Sequence, residues 1–241
     1  MKRCLDLAAS FFGLLILSPL LGVLLLLIWL QDFRSPFYIA PRVLRRGQTF
    51  RMVKLRSMVV NADKIGGSST AATDRRVTWV GRLVRRYKLD ELMQLWNVLK
   101  GEMSLVGPRP QVRRDVDLYT EEEYHLFDVK PGITDFSSIV FSDEGDVLKG
   151  SDDPDLKYNQ VIRPWKSRLG LFYAKHSSVW LNLRLILLTV IAIVSRPKAL
   201  AGVQKLLRQL GADEQLIQLA GRTEPLKPYP PPGMATVEVR S

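Results

Sequence analysis

The chain is poor in the residues that build crosslinks and metal centres. Cys4 is the one cysteine among 241 residues. An intrachain disulfide and a multi-cysteine zinc site are therefore excluded, and a disulfide-free chain fits a cytoplasm-facing domain. The two histidines, His125 and His176, lie far apart without ligand-like spacing, so a structural zinc or a histidine-centred triad has little material. Acidic residues are outnumbered, 24 against 35 basic ones, and the formal net charge is +11. That balance points to an anionic partner: nucleic acid, anionic lipid or an anionic substrate. No internal repeat is visible.

Charge is also missing from Leu7 to Leu30, where the chain reads "SFFGLLILSPLLGVLLLLIWL" over residues 10–30. About 20 such residues suffice to span a bilayer. A cleaved secretory signal would use Lys2 and Arg3 as its n-region. The run exceeds the 7–15 residues typical of an h-region, and no small-x-small cleavage site follows, so the segment reads as retained. Ser18-Pro19 interrupts it. Proline removes a helix hydrogen bond and disfavours α geometry in the residue before it. The stretch from Leu7 to Ser18 covers only about 18 Å of a roughly 30 Å hydrocarbon core. Lys2 and Arg3 precede the run, and Arg34, Arg42, Arg45 and Arg46 follow it, which favours the cytoplasmic side for both ends. A kinked span and a re-entrant helix both remain open on these grounds.

Residues 32–60 alternate apolar and basic residues around Gly47, as a short hairpin or irregular basic stretch does. Residues 61–73 contain "GGSSTAAT", a loop. A basic amphipathic helix is expected near Val80 to Tyr87, and a second over "LDELMQLWNVLK", ended by Gly101. On that second wheel Leu89, Leu92, Leu95, Trp96 and Leu99 form the apolar stripe, with Asp90, Gln94 and Asn97 on a polar side. "SLVGPRPQV" reads as a rigid loop braced by Pro108 and Pro110. Residues 111–127 read as helical, with Glu121, Glu122 and Glu123 as a solvated face, and "KPGIT" reads as a turn. Residues 179–194 suit a core or interfacial helix. Two small helices broken at Gly211 follow, then a polyproline-type tail.

Asp90-Glu91 in the first turn of a helix is most simply a dipole-compensating pair. Its surroundings suggest chemistry. Arg82, Arg85 and Arg86 crowd it, a proline-braced Arg109 follows, and Lys54 and Arg56 lie in the earlier basic stretch. Many cations around a few acids suit a phosphate site that also holds Mg²⁺, with one carboxylate free to act as nucleophile. The arginines equally suit anionic headgroups.

"KRCLDL", the apolar run with Ser18-Pro19, "FRMVKLRSM", "DRRVTWVGRLVRR", "LDELMQLWNVLKGEMSLVGPRP" and "KPGIT" occur in that order. This series resembles the bacterial sugar transferase family, the monotopic phosphoglycosyl transferases, over roughly residues 1–195. The resemblance implies an α+β, mostly helical protein: a re-entrant membrane helix, then a compact membrane-associated catalytic domain with interfacial amphipathic helices. Its parts would be 1–40, the re-entrant helix and junction; 41–195, the catalytic domain; and 196–241, an extension open to self-association or partner docking. It implies transfer of a sugar-1-phosphate from a UDP-sugar to undecaprenyl phosphate with release of UMP, through a phosphosugar-aspartate intermediate. Asp90 matches the nucleophile and Glu91 its partner, the two together holding Mg²⁺. Lys54, Arg56 and Arg85 match cationic positions of the active-site region. Pro108, Arg109 and Pro110 match the motif tied to the uridine nucleotide, with Arg109 also a phosphate ligand. Ser18 and Pro19 match the break of the re-entrant helix. The implied setting is the cytoplasmic face of a bacterial inner membrane, among membrane lipids and without nucleic acid. Lys88 and Met93 depart from the usual Ser and Pro of the motif, and Asp135-Phe136-Ser137-Ser138 departs from the usual Gly-Trp-Ala-Gln, so no particular sugar carries over. A non-catalytic basic membrane adaptor is the rival reading, and it leaves Asp90-Glu91 without a chemical task. A sensor anchored by a true span would need an external portion that these residues do not supply.

Overall fold

The computed structural model describes residues 2–44, 47–65 and 74–237. Most of the loop expected over 61–73 lies outside them. The chain is mostly helical, with two small two-stranded sheets.

The apolar N-terminal run forms helix α1, Lys2–Leu30, with Pro19 inside it. Pro19 has no N–H for the Leu15 carbonyl. The Ser18 hydroxyl donates to that carbonyl instead, at 2.8 Å. One side of α1 rests on the body through Asp6, Ser10, Leu21, Leu24 and Ile28, residues from both sides of the proline. The other side exposes Phe11, Phe12, Leu15, Ile16, Val23 and Leu26. Polar bonds seat its first turns. Lys2 Nζ donates to the Val106 carbonyl and the Tyr173 hydroxyl, each at 3.0 Å. Arg3 donates to the Val98 and Leu99 carbonyls at 2.6 and 2.9 Å. Asp6 accepts from Ser104 Oγ at 2.9 Å.

Strands β1, Phe37–Val43, and β2, Thr49–Leu55, make the expected hairpin, in a register from Phe37 opposite Leu55 to Val43 opposite Thr49. Helix α2, Trp79–Arg86, is capped by Thr78, whose side chain accepts from Gly81 N at 3.0 Å. A Cβ on Gly81 would run into the Ser57 carbonyl, so only glycine lets the helix come this close. Val80 and Val84 close over Leu55 and the inner face of α1.

The second expected helix is really two elements. Leu89–Met93 is a 3₁₀ turn, and α3, Gln94–Lys100, follows and ends at Gly101 with φ +87°. The change of pitch spoils a single 3.6-residue wheel. Gln94 and Asn97, expected on a polar outer side, are buried, while Trp96 from the apolar stripe is 48% exposed. Asn97 is buried because it ties α3 to β2: its amide donates to the Arg51 carbonyl at 2.7 Å and its oxygen accepts from Val53 N at 2.9 Å.

"KPGIT" is a strand rather than a turn. β3, Ser104–Val106, pairs in parallel with β4, Gly132–Thr134. The three acids at 121–123 also divide. Glu123 is fully buried, accepting from Ser167 Oγ at 2.5 Å and from Thr120 N at 3.1 Å. Helices α4 (Phe136–Val140), α5 (Arg163–His176), α6 (Val179–Val194), α7 (Arg196–Gln209) and α8 (Glu214–Gly221) are the main later helices, with single turns between them. They share one core that includes Val106, Phe136, Leu169, Tyr173, Leu185, Leu207 and Ile217. The segment beyond 195 is therefore packed into the body. Helix α6 buries Leu181, Asn182, Leu185 and Leu188 and exposes Trp180, Leu187, Val190 and Ile193.

Candidate active site

The dyad is positioned by the break between α2 and α3. Lys88 adopts a left-handed conformation, φ +54°, which turns the chain sharply after α2 and starts the 3₁₀ turn. Residues with a Cβ rarely adopt it. Asp90 and Glu91 follow in the first turn, while Leu89, Leu92 and Met93 anchor that turn on the Leu21–Ile28 side of α1.

Glu91 is the gripped carboxylate. Arg109 Nη2 donates to its Oε1 at 2.5 Å, and Lys54 Nζ lies 3.8 Å from the same oxygen. Burial works against the Glu91 charge, but Arg109 and Lys54 outweigh it and hold the carboxyl well below its usual range. Asp90 behaves differently. Burial pushes its carboxyl up against Lys54, and the neighbouring Glu91 charge pushes the same way. No donor among the described residues hydrogen-bonds its oxygens. Lys54, on β2, is brought down to about 8 by burial and by the charge of Arg109. Arg85 adds its field at Asp90.

The Pro108-Arg109-Pro110 loop is fixed at both ends. Gly132 N donates to the Pro108 carbonyl and Val43 N to the Gln111 carbonyl, each at 3.0 Å. Both prolines are buried, and Arg109 projects between them. Arg109 also borders a small, partly open cleft lined by Pro108, Asp135, Ser137, Tyr158 and Lys166 among others. Asp135 is a helix cap here: it accepts from Ser138 N at 2.7 Å and from the Ser137 and Ser138 hydroxyls.

Arg56 is placed elsewhere. It makes a two-pronged pair with Asp32, at 2.5 and 2.6 Å, and donates to the Ser35 carbonyl at 2.8 Å, closing the junction between α1 and β1. Sequence reasoning gave three other groups no role at the site. Lys88 is drawn down by burial while the Glu91 charge opposes, which places it by the dyad. Arg42 on β1 is drawn down by burial and by Arg109. Glu144 is paired with Lys166, and its charge bears on Arg109. The departure at Lys88 was the one visible signal among them.

No group of three or more side chains suited to holding a metal exists among the described residues. Two carboxylates are present, and hard oxygen donors of that kind suit Mg²⁺ when substrate phosphates and water complete the shell.

The sequence that carries this pair of carboxylates, the proline-braced arginine and the long apolar helix matches a known family. The model of the family described as "Bacterial sugar transferase" matches residues 1–196. The chain belongs to that family. A curated relative from Aeromonas hydrophila, a UDP-N-acetylgalactosamine-undecaprenyl-phosphate N-acetylgalactosaminephosphotransferase, is 32% identical over 197 residues, 80% of this chain and 44% of its own. An undecaprenyl-phosphate glucose phosphotransferase from Komagataeibacter xylinus is 41% identical over 196 residues, 78% of this chain and 35% of its own. A relative from Bacillus subtilis, described as a putative undecaprenyl-phosphate N-acetylgalactosaminyl 1-phosphate transferase, is 43% identical over 110 residues, 46% of this chain and 62% of its own. The chain thus spans less than half the length of the first two.

Proposed function

We propose that this protein transfers a sugar-1-phosphate from a UDP-sugar to undecaprenyl phosphate. The observation that carries this is the unequal dyad: Glu91 is locked as an anion by Arg109 and Lys54, while Asp90 keeps its lone pairs unbonded among the described residues. In the first step an Asp90 oxygen attacks the phosphorus that bears the sugar. The bond from that phosphorus to the oxygen of the nucleotide phosphate breaks, UMP leaves, and an acyl phosphate forms on Asp90. In the second step an oxygen of the lipid phosphate attacks the same phosphorus, and the Asp90 carboxylate departs unchanged. Arg109, Lys54, Lys88 and Arg85 hold the phosphate oxygens and offset the charge that gathers on them. Mg²⁺ held by Asp90 and Glu91 would add charge neutralisation at the diphosphate.

The acceptor sits at a membrane surface, and two features support a monotopic seat there. Helix α1 is about 43 Å long at 1.5 Å per residue, longer than the roughly 30 Å hydrocarbon core. Yet its first turn bonds Val98, Val106 and Tyr173, while Asp32, just past its last turn, bonds Arg56 of the same body. A straight span would carry one of those ends to the far side. Contacts of both ends with one body support a re-entrant seat, with Ser18 satisfying the carbonyl that Pro19 strands. Exposed Trp29, Trp79, Trp96 and Trp180 suit an interfacial belt around it. The basic flanks and a soluble nucleotide donor support a cytoplasmic setting for that side.

The test is incubation of purified protein with undecaprenyl phosphate, Mg²⁺ and a panel of UDP-sugars. UMP should appear with one or more donors and should disappear with EDTA. Release of UDP instead would mean transfer of sugar alone and would overturn the reading.

A further inference from the structure

Two stretches beyond the family match reach back to the residues that flank Glu144 and Lys166. The first is Arg222, which closes α8 in a left-handed conformation, φ +53°. Its Nη2 donates to Asp143 Oδ2 at 2.9 Å, and its guanidinium lies 5.2 Å from the centre of the Phe141 ring. The side chain is 8% exposed. Arg196, at the start of α7, grips the same loop. It donates to Ser142 Oγ at 3.0 Å and to the Val140 carbonyl at 3.1 Å, and pairs with Asp143 at 2.9 Å. The next residue is Glu144, whose carboxylate takes the Lys166 ammonium.

The second stretch is Tyr229–Pro232. Pro164 cannot donate to the Gln160 carbonyl, and the chain there takes a π-helical turn, Tyr158–Ile162. Tyr229 N donates to Gln160 O at 2.9 Å. The Tyr229 ring stacks on Trp165 at 4.2 Å between centres. Arg168 lies 4.7 Å from that ring and donates to the Pro230 carbonyl at 2.8 Å. Thr120 Oγ donates to the Pro232 carbonyl at 2.7 Å. Trp165 and Arg168 stand on either side of Lys166 in sequence. Both partners of the Glu144–Lys166 pair are thus held from behind by one C-terminal segment.

We propose that Arg222 and the Tyr229–Pro232 strap are positioning residues that fix the Glu144–Lys166 pair, of which Lys166 lines the cleft beside Arg109, and that this pair discriminates among donor sugars. The inference rests on the transferase reading, which makes this cleft the donor's. A fixed ammonium–carboxylate pair offers both donors and acceptors, the combination needed to tell one hydroxyl pattern from another. Loosening its supports blurs that choice without touching Asp90 or Glu91.

The experiment compares the full-length wild type with Arg222→Met, Arg222→Lys and Tyr229→Ala. UMP release is measured with UDP-glucose, UDP-galactose and UDP-N-acetylgalactosamine, with undecaprenyl phosphate varied separately. Hydrogen exchange is followed over residues 140–148. Arg222→Met and Tyr229→Ala should raise the donor KM by about tenfold, as loss of a substrate hydrogen bond does. They should narrow the ratio between best and worst donor and leave the acceptor KM unchanged. Exchange over 140–148 should rise in Arg222→Met, and Arg222→Lys should recover part of each effect. Unchanged donor KM and selectivity in both variants would overturn the proposal. So would equal losses for donor and acceptor with faster exchange throughout the chain. If the wild type releases no UMP from any donor, the transferase reading fails by itself. Unchanged exchange over 140–148 in Arg222→Met would then still overturn the clamp.

Discussion

Pro19 in α1 and Pro164 at the start of α5 pose the same problem, and the molecule answers them in opposite ways. Each leaves a carbonyl four residues back without its usual helix donor. In α1 the answer is local: the adjacent Ser18 hydroxyl takes the Leu15 carbonyl. At α5 the answer is remote: the Tyr229 amide takes the Gln160 carbonyl. A locally satisfied helix needs little from the rest of the chain and can turn its apolar outer face to lipid. A remotely satisfied one ties the cleft wall, with Tyr158 and Lys166, to the tail. The site lies between these regimes. The dyad turn leans on α1, and the cleft beside Arg109 leans on α5.

The largest expected effect divides chemistry from recognition. Asp90→Asn should lower UMP release by at least about a thousandfold with the fold intact, because an amide cannot form the acyl phosphate. Lys166→Met should cost only about tenfold, carried by the donor terms. Equal losses would erase the division between the α1 side and the α5 side. A radiolabelled phosphosugar trapped on the wild type but not on Asp90→Asn would sharpen it.

The seat of α1 can be tested with the native cysteine, since Cys4 is exposed near the helix start. In intact cells an impermeant thiol reagent should leave Cys4 unlabelled until the membrane is opened. Gln31→Cys in a Cys4→Ser background should behave identically. Labelling of Cys4 alone from outside would make α1 a span.

A smaller effect comes from pH. Lys54 is cationic below about 8 and neutral above it. As pH rises through that value Glu91 and the phosphates lose a positive neighbour, so kcat/KM should fall by about tenfold per unit. Lys54→Arg, charged throughout, should move this limb to higher pH. A limb that stays in place belongs to another group.

The smallest effect concerns the local repair itself. Ser18→Ala should destabilise the protein in detergent by about 1 kcal/mol or less, the usual worth of one hydrogen bond. Ser18→Ala with Pro19→Ala should regain it, because residue 19 then supplies an N–H. A thermal unfolding series decides this, and additive losses would refute the assignment of the Leu15 carbonyl.

What was legible in the sequence was local. The apolar run, the hairpin around Gly47, the stops at Gly101 and Gly211 and the basic helix before the dyad follow from periodicity and from glycine's access to positive φ. Asp90, Glu91, Lys54 and Arg109 were found by type and spacing, and the structure brings them together. What escaped depends on distant partners. "KPGIT" pairs with β3 across a long connection, and a short apolar run carries no mark of that. Glu123 looks like its two exposed neighbours until Ser167 and Thr120 reach it. Asn97 is polar by type, yet its three bonds make it a core residue. Arg56 fits a cluster of cations by composition, and only the fold reveals that Asp32 claims it.

The grip of Arg222 on Asp143 has a consequence during synthesis. These residues are 79 apart in sequence. At about 5–20 residues per second, roughly 4–16 s separate their emergence from the ribosome. Helix α1 meets Leu55, Val80 and Val84, and then Val98 to Val106, much earlier in that sequence of events. The nascent chain therefore has time to seat α1 before the loop at Asp143 is locked. Order of translation alone lets the apolar helix find its seat before the C-terminal segment closes the loop at Asp143.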